Sequence, residues 1–121
     1  MILLWGVAED SPLKATWAAL ERRGAAVFFL DQRRAAETRI ELRGEGEGEI
    51  RLGAERCGLA QVTSAYLRCG ETRKLTPGAK EDAALGHHAC MLDETVAAFL
   101  DATSARLVNS LEAMACNGSK P

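Results

Sequence analysis

Residues 2–31 read ILLWGVAEDSPLKATWAALERRGAAVFFLD, and this stretch decides the fold. Ile2 to Val7 is a short continuous apolar run, the pattern of a strand covered on both faces. Ala8-Glu9-Asp10 breaks it. Asp10 or Ser11 can cap a following helix, and Pro12 suits the first turn, where its missing N–H would have had no partner. Leu13, Thr16, Trp17 and Leu20 then share one helical face, with Lys14, Glu21 and Arg22 largely elsewhere. Gly24 suits the left-handed residue that ends a helix, and Ala26 to Leu30 is a second apolar strand closing at Asp31. Strand, capped helix, glycine, strand is a βαβ unit, which runs its two strands parallel.

Downstream the pattern changes. Arg39 to Arg43 and Glu49 to Leu52 alternate polar and apolar residues, the period of half-exposed strands, with Gly44 to Gly48 as the turn. An antiparallel β-hairpin near a sheet edge is the expectation. Its glycines are a poor phosphate loop, because no helix follows and alternate glutamates repel phosphate. Val62 to Leu67 is an extended apolar segment ending at Arg68, and the polar stretch that follows, with Pro77-Gly78, is expected to be the most mobile loop. A long helix is expected from about residue 79 to 105, with Leu85, Ala89, Leu92, Val96, Phe99 and Thr103 facing the core. Leu107-Val108 is a last short strand with Asn109 at its carboxyl end, and Leu111 to Cys116 has room for one or two helical turns. The expected architecture is α/β: a mainly parallel sheet flanked by helices, with an added antiparallel hairpin.

Bulk properties set the outer limits. A length of 121 residues is one domain, and 47% hydrophobic with 26% charged residues is an ordinary globular composition. The net charge of -2, with bases and acids interleaved as in Glu21-Arg22-Arg23, argues against a nucleic-acid partner. No apolar run approaches the roughly 20 residues that span a bilayer, so no membrane partner is expected. Met1 to Ala8 is too short for a signal-peptide core and lacks a basic flank. Cys57, Cys69, Cys90 and Cys116 have no paired spacing, which fits reduced thiols and a cytoplasmic location.

In an open parallel sheet, ligands collect beyond the carboxyl ends of the strands. That rule selects Glu9 and Asp10, Asp31, Arg68 and Asn109. Arg68 stands out, because a guanidinium fork holds a carboxylate or phosphate in a fixed orientation. Its alternative is a salt bridge closing the strand end, to Asp31 or Glu9; for Asp10 a helix cap is a sufficient reason. His87-His88-x-Cys90 suggests a metal, since His87 and Cys90 share a helical face, but no nearby residues complete a four-ligand set. Helix-surface histidines beside a buried cysteine are expected instead. Cys69 adjoins Arg68, which would lower its pKa, yet no partner base is identifiable. Glu81-Asp82 sits at a helix start, where the dipole favours acids for structural reasons. The residues by themselves therefore describe an α/β domain without a complete active site.

The order of these segments resembles the start of ATP-grasp ligases of the ribosomal-protein glutamate ligase and peptide-macrocyclising type. The resemblance rests on the Glu9-Asp10 turn, the helix ending Leu20-Glu21-Arg22-Arg23-Gly24, and the strand Ala26 to Asp31. It continues through Val62 to Arg68 and Leu107-Val108-Asn109 to Met114, and ends on Asn117-Gly118-Ser119-Lys120-Pro121, similar to an "N-x-S-K-P" element that leads into the ATP-grasp body. What it implies is a Rossmann-like pre-ATP-grasp domain over residues 1–121, with the ATP-grasp body absent from this chain. Such enzymes activate a carboxylate as an acyl phosphate and let an amine attack it. The resemblance places ATP and magnesium in the later region of the full-length enzyme, so no cofactor, metal or catalytic residue is expected in this chain, and the chain alone is expected to be inactive. It places Arg68, Asn109 and Asp10 on the substrate cleft and Asn117, Ser119 and Lys120 at the domain junction. The implied partner is a C-terminal ATP-grasp domain, and a homodimer stays open. A different class of reading is a freestanding α/β binding or dimerisation module; a flavodoxin-like or receiver-like domain fits less well, since no lysine follows a convincing strand.

Overall fold

The computed structural model describes residues 1–44 and 47–108. Asn109, Asn117, Ser119 and Lys120 lie outside the described residues, as does the tip of the Gly-Glu turn.

Ile2–Gly6 forms β1, Ser11–Arg22 forms α1 and Val27–Asp31 forms β2. The capping choice is settled: Asp10 is the N-cap, its Oδ2 accepting from the Leu13 N–H at 3.0 Å, with Pro12 in the first turn. Gly24 takes the left-handed conformation, with φ of 70°. A 3-10 helix over Gln32–Glu37 leads to β3 (Thr38–Gly44) and β4 (Glu47–Leu52), followed by β5 (Glu55–Gly58). After a 3-10 turn at Leu59–Gln61 come β6 (Ser64–Leu67), the short helix α2 (Thr72–Leu75), α3 (Ala83–Ala102) and β7 (Arg106–Val108).

Two sheets result. The four-stranded sheet has the order β2-β1-β6-β7 and every pairing in it is parallel. Its register sets Gly6 beside Asp31 and Trp5 beside Leu67, so the strand ends carrying the candidate residues share one edge. The expected hairpin exists, with Thr38 to Leu42 paired antiparallel to Leu52 to Gly48. It is not at the edge of the parallel sheet. It gains β5 as a third strand and forms a separate sheet of order β3-β4-β5.

The reason is burial. Ile50, Leu52, Cys57 and Leu59 are at most 1% exposed and join one core cluster with Leu3, Trp5, Phe28, Leu30, Ala65 and Leu67. Stacking on the face of the parallel sheet removes this apolar side from water, which edge pairing would not. Val96, Phe99 and Leu100 of α3 complete that cluster. The opposite face carries α1, where Trp17 lies on Phe29 with ring centroids 4.6 Å apart.

The stripe expected for α3 holds at Ala89, Leu92, Val96 and Phe99, all buried. Leu85 is only half-buried, Thr103 is the C-cap, and Leu100 joins the buried set instead. The helix starts later than expected because Asp82 caps it, accepting from the N–H groups of Ala84 and Leu85 at 3.0 and 3.1 Å. No described helix is long and apolar enough to cross a membrane.

Candidate functional site

The carboxyl edge of the parallel sheet brings Asp10 and Arg68 together. Arg68 Nε donates to Asp10 Oδ2 at 3.1 Å and Nη2 donates to Oδ1 at 3.2 Å, a two-point grip on one carboxylate. Asp10 thus does two jobs, since Oδ2 also caps α1. The Arg68 fork, more than the capping N–H of Leu13, holds the Asp10 carboxyl below the usual carboxylate range. The same contact raises Arg68 above the ordinary guanidinium value. Arg68 Nη1 makes no hydrogen bond to any described residue, and 36% of the side chain faces solvent. A guanidinium fixed along one edge and open at another is suited to orienting a second carboxylate or a phosphate.

The backbone brings Arg68 there. Its N–H donates to the Trp5 carbonyl at 2.9 Å, continuing the β1–β6 pairing by one residue. Gly6 makes the approach possible: a Cβ there would lie 3.1 Å from the Arg68 carbonyl oxygen and 3.2 Å from a methyl of Leu13. The closing partner of Arg68 is therefore Asp10, neither Asp31 nor Glu9. Glu9 pairs with Arg33 at 3.1 Å, and Asp31 caps the 3-10 helix through the Arg33 N–H at 2.9 Å.

Beside this pair lies a polar network with no counterpart in the sequence reading. Gln32 Nε2 donates to the Gly70 carbonyl at 2.7 Å and to Thr72 Oγ1 at 2.8 Å, while Gly70 N–H donates back to Gln32 Oε1 at 3.1 Å. Thr72 Oγ1 donates to Asp93 Oδ1, and Thr72 N–H donates to Asp93 Oδ2 at 3.0 Å. Thr76 Oγ1 reaches the carbonyls of Gln32 and Thr72 at 3.1 and 2.7 Å. Gln32, Thr72 and Thr76 are all buried. The segment after Arg68, expected to be the most mobile loop, is joined to the 3-10 helix after β2 and to α3 by these hydrogen bonds. Each such bond left half-made would cost on the order of 1–3 kcal/mol.

The one hint in the sequence was Asp93 itself, an acid beside the apolar stripe of α3. Burial raises its carboxyl above the usual range, and the Thr72 hydrogen bonds work against that rise.

Two thiol expectations are corrected. Burial pushes the Cys69 thiol up to about 12, with the Asp93 charge adding to the rise, so adjacency to Arg68 in sequence does not activate it. Cys90 is exposed, not buried. His88 is half-buried, with Nε2 2.9 Å from the Thr38 carbonyl and 3.1 Å from Arg39 Nη1. Among the described residues no group of three or more His, Cys, Asp or Glu side chains is arranged to hold a metal.

No protein-family model matches the chain, and no curated protein matches it in sequence. Solved structures do match it in fold. The macrocyclase MdnC from Microcystis aeruginosa MRC, bound with precursor peptide MdnA, superposes with a TM-score of 0.65 at 20% identity. The match covers 92% of this chain and 36% of MdnC. The fold is that of one region of ATP-grasp ligases. The ATP-grasp ligase PsnB, complexed with precursor peptide PsnA2 and AMPPNP, gives a TM-score of 0.62 at 19% identity, over 94% of this chain and 38% of PsnB. A Chryseobacterium gregarium RiPP-associated ATP-grasp ligase, in complex with ADP and a leader and core peptide, gives 0.59 at 13% identity, over 92% and 35%. The chain thus spans little more than a third of the length of these ATP-grasp structures, and the similarity takes in both sheets.

Proposed function

We infer that this chain is the substrate-cleft domain of an ATP-dependent carboxylate–amine ligase, a pre-ATP-grasp domain that is not catalytic alone. The observation carrying this reading is the fold match to the ATP-grasp ligase PsnB over 94% of this chain but only 38% of PsnB. In this reading the remainder of such an enzyme supplies the chemistry. The matched structures hold AMPPNP in one case and ADP with Mg in another, which supports ATP and magnesium as the cofactors of the full-length enzyme. They also hold precursor peptides, which supports a peptide as the substrate class.

Within this domain Arg68 is the residue that meets substrate, with Asp10 as the group that orients it. The open Nη1 edge of Arg68 would face a carboxylate or acyl phosphate, while Asp10 fixes the guanidinium plane. Asn109 is the second cleft residue, and Asn117, Ser119 and Lys120 form the junction to a C-terminal ATP-grasp domain. The cytoplasm, with its ATP and reduced thiols, is the matching location. The type of ligase, whether closer to ribosomal-protein glutamate ligases or to peptide macrocyclases, follows from which amine attacks.

The test is Arg68→Ala in the full-length enzyme, read by steady-state kinetics and circular dichroism. Turnover is expected to fall at least about tenfold with the fold retained. Unchanged turnover in a folded variant contradicts the cleft role, and loss of the fold assigns Arg68 to structure alone.

A further inference from the structure

The His87-His88-x-Cys90 motif builds no metal site with the other described residues, but His87 and Cys90 line a groove. This groove has a volume of about 430 Å³ and runs between α2, the loop around Ala79 and the first turns of α3. Arg73 comes from α2, Lys80 from the loop, and Ala83, His87 and Cys90 from one face of α3. No carboxylate lines it.

Three features make this more than a solvated basic surface. Gly86 lets the parts approach: a Cβ there would lie 2.9 Å from the Ala79 carbonyl, and 3.5 and 3.7 Å from Cδ and Cγ of Arg73. The Arg73 stem therefore lies across α3, which restricts where its guanidinium can go. Next, three acids near in the chain are already engaged, while Glu81, beside Lys80 in sequence, is exposed and outside the groove lining. Glu71 pairs with Lys74 at 3.0 Å, Asp93 receives two hydrogen bonds from Thr72, and Asp82 caps α3. Neither Arg73 nor Lys80 forms a salt bridge with a described residue. Finally, the groove gathers three basic side chains, Arg73, Lys80 and His87, from three separate segments onto one side of a 20-residue helix.

We propose that the groove between α2 and α3 binds a small oxyanion, a carboxylate or phosphate group, between Arg73, Lys80 and His87. Arg73 supplies a planar fork, Lys80 a mobile point charge and His87 a ring N–H. The site is separate from the Asp10–Arg68 pair in its residues, and it does not depend on the ligase reading.

The chain has two histidines, which gives the experiment an internal reference. His88, held against Thr38, reports on the fold, while His87 reports on the groove. The 121-residue chain is titrated with inorganic phosphate and, separately, with succinate, and the imidazole resonances are followed by proton–nitrogen NMR. His87 is expected to shift saturably, with half-saturation at about 1–10 mM for such a bare anion, while His88 stays still. A response to phosphate alone or to succinate alone supports the site and names its source.

Lys80→Ala, at an exposed side chain outside the packing, is expected to weaken the response about tenfold. Arg73→Lys, which keeps a stem over Gly86, is expected to weaken it less than Arg73→Ala. A silent His87 overturns the proposal. So does equal movement of both rings, or a response that both alanine variants leave unchanged.

Discussion

Asp10 and Arg68, 58 residues apart in sequence, meet in a two-point ion pair at the carboxyl edge of the parallel sheet. The same Asp10 oxygen that accepts from Arg68 Nε also caps α1 through Leu13. One carboxylate thereby ties the start of the first helix to the end of the third strand of the sheet. The pair is partly open to water, so its Coulombic share is small and its chief effect is orientation.

Removing either partner should therefore cost unequal amounts. Asp10→Ala loses the cap as well as the pair and is expected to destabilise the fold by about 1–2 kcal/mol. Arg68→Ala leaves the cap in place, and with a solvent-screened pair its cost is expected to stay below about 1 kcal/mol. Urea unfolding of the two variants measures this directly. A larger loss for Arg68→Ala would mean that the arginine is chiefly structural.

Asp10 also predicts a pH signature. Its carboxyl titrates below the ordinary value of 3.8, so the folded state holds its proton less tightly than the unfolded state. Its contribution to stability is present above that ordinary value and is lost as pH falls through the lowered one. Urea midpoints of the natural chain and Asp10→Asn, compared from neutral pH down into that range, are expected to converge. A gap that stays constant would show that the carboxylate charge is not what matters.

Asp93 has the opposite sign. Burial raises its carboxyl above 3.8, so its contribution is most favourable below that value and declines as pH rises through the raised one. Thr72→Val removes the hydroxyl that joins Asp93 to Gln32 and is expected to cost about 1–3 kcal/mol. A double-mutant cycle with Gln32→Ala should show non-additivity of at least about 0.5 kcal/mol. Strict additivity would deny that Gln32, Thr72 and Asp93 act as one network.

The βαβ opening was legible because its signals are local. An apolar run, a cap at Asp10, Pro12 and Gly24 each speak within a few residues of the structure they cause. The hairpin was legible from alternation, but its docking was not, because the face it covers comes from Leu3, Phe28 and Leu67, far away in sequence. β5 escaped notice since Glu55-Arg56-Cys57-Gly58 is short and polar, and becomes a strand only by pairing with β4. Arg68 and Asp10 were each singled out from their positions after a strand, yet their pairing was not foreseen. The fastening of the loop after Arg68 was illegible for a similar reason: Gln32 and Thr72 are 40 residues apart. Cys69 misled because adjacency to an arginine in sequence says nothing about burial.

Thiol reactivity follows from that burial. Cys69, with its thiol pushed up to about 12, is expected to resist iodoacetamide near pH 8, whereas exposed Cys90 should alkylate at least about tenfold faster. Peptide mapping by mass spectrometry distinguishes the sites. Equal labelling of the two would contradict the packing around β6 and α3.

The central proposal is that this domain shapes a cleft while another part of the enzyme holds the nucleotide. Calorimetric titration of the 121-residue chain with magnesium–ATP tests it most directly. No saturable heat is expected at micromolar nucleotide; a dissociation constant at or below about 10 μM would place a nucleotide site within these residues and contradict the proposal.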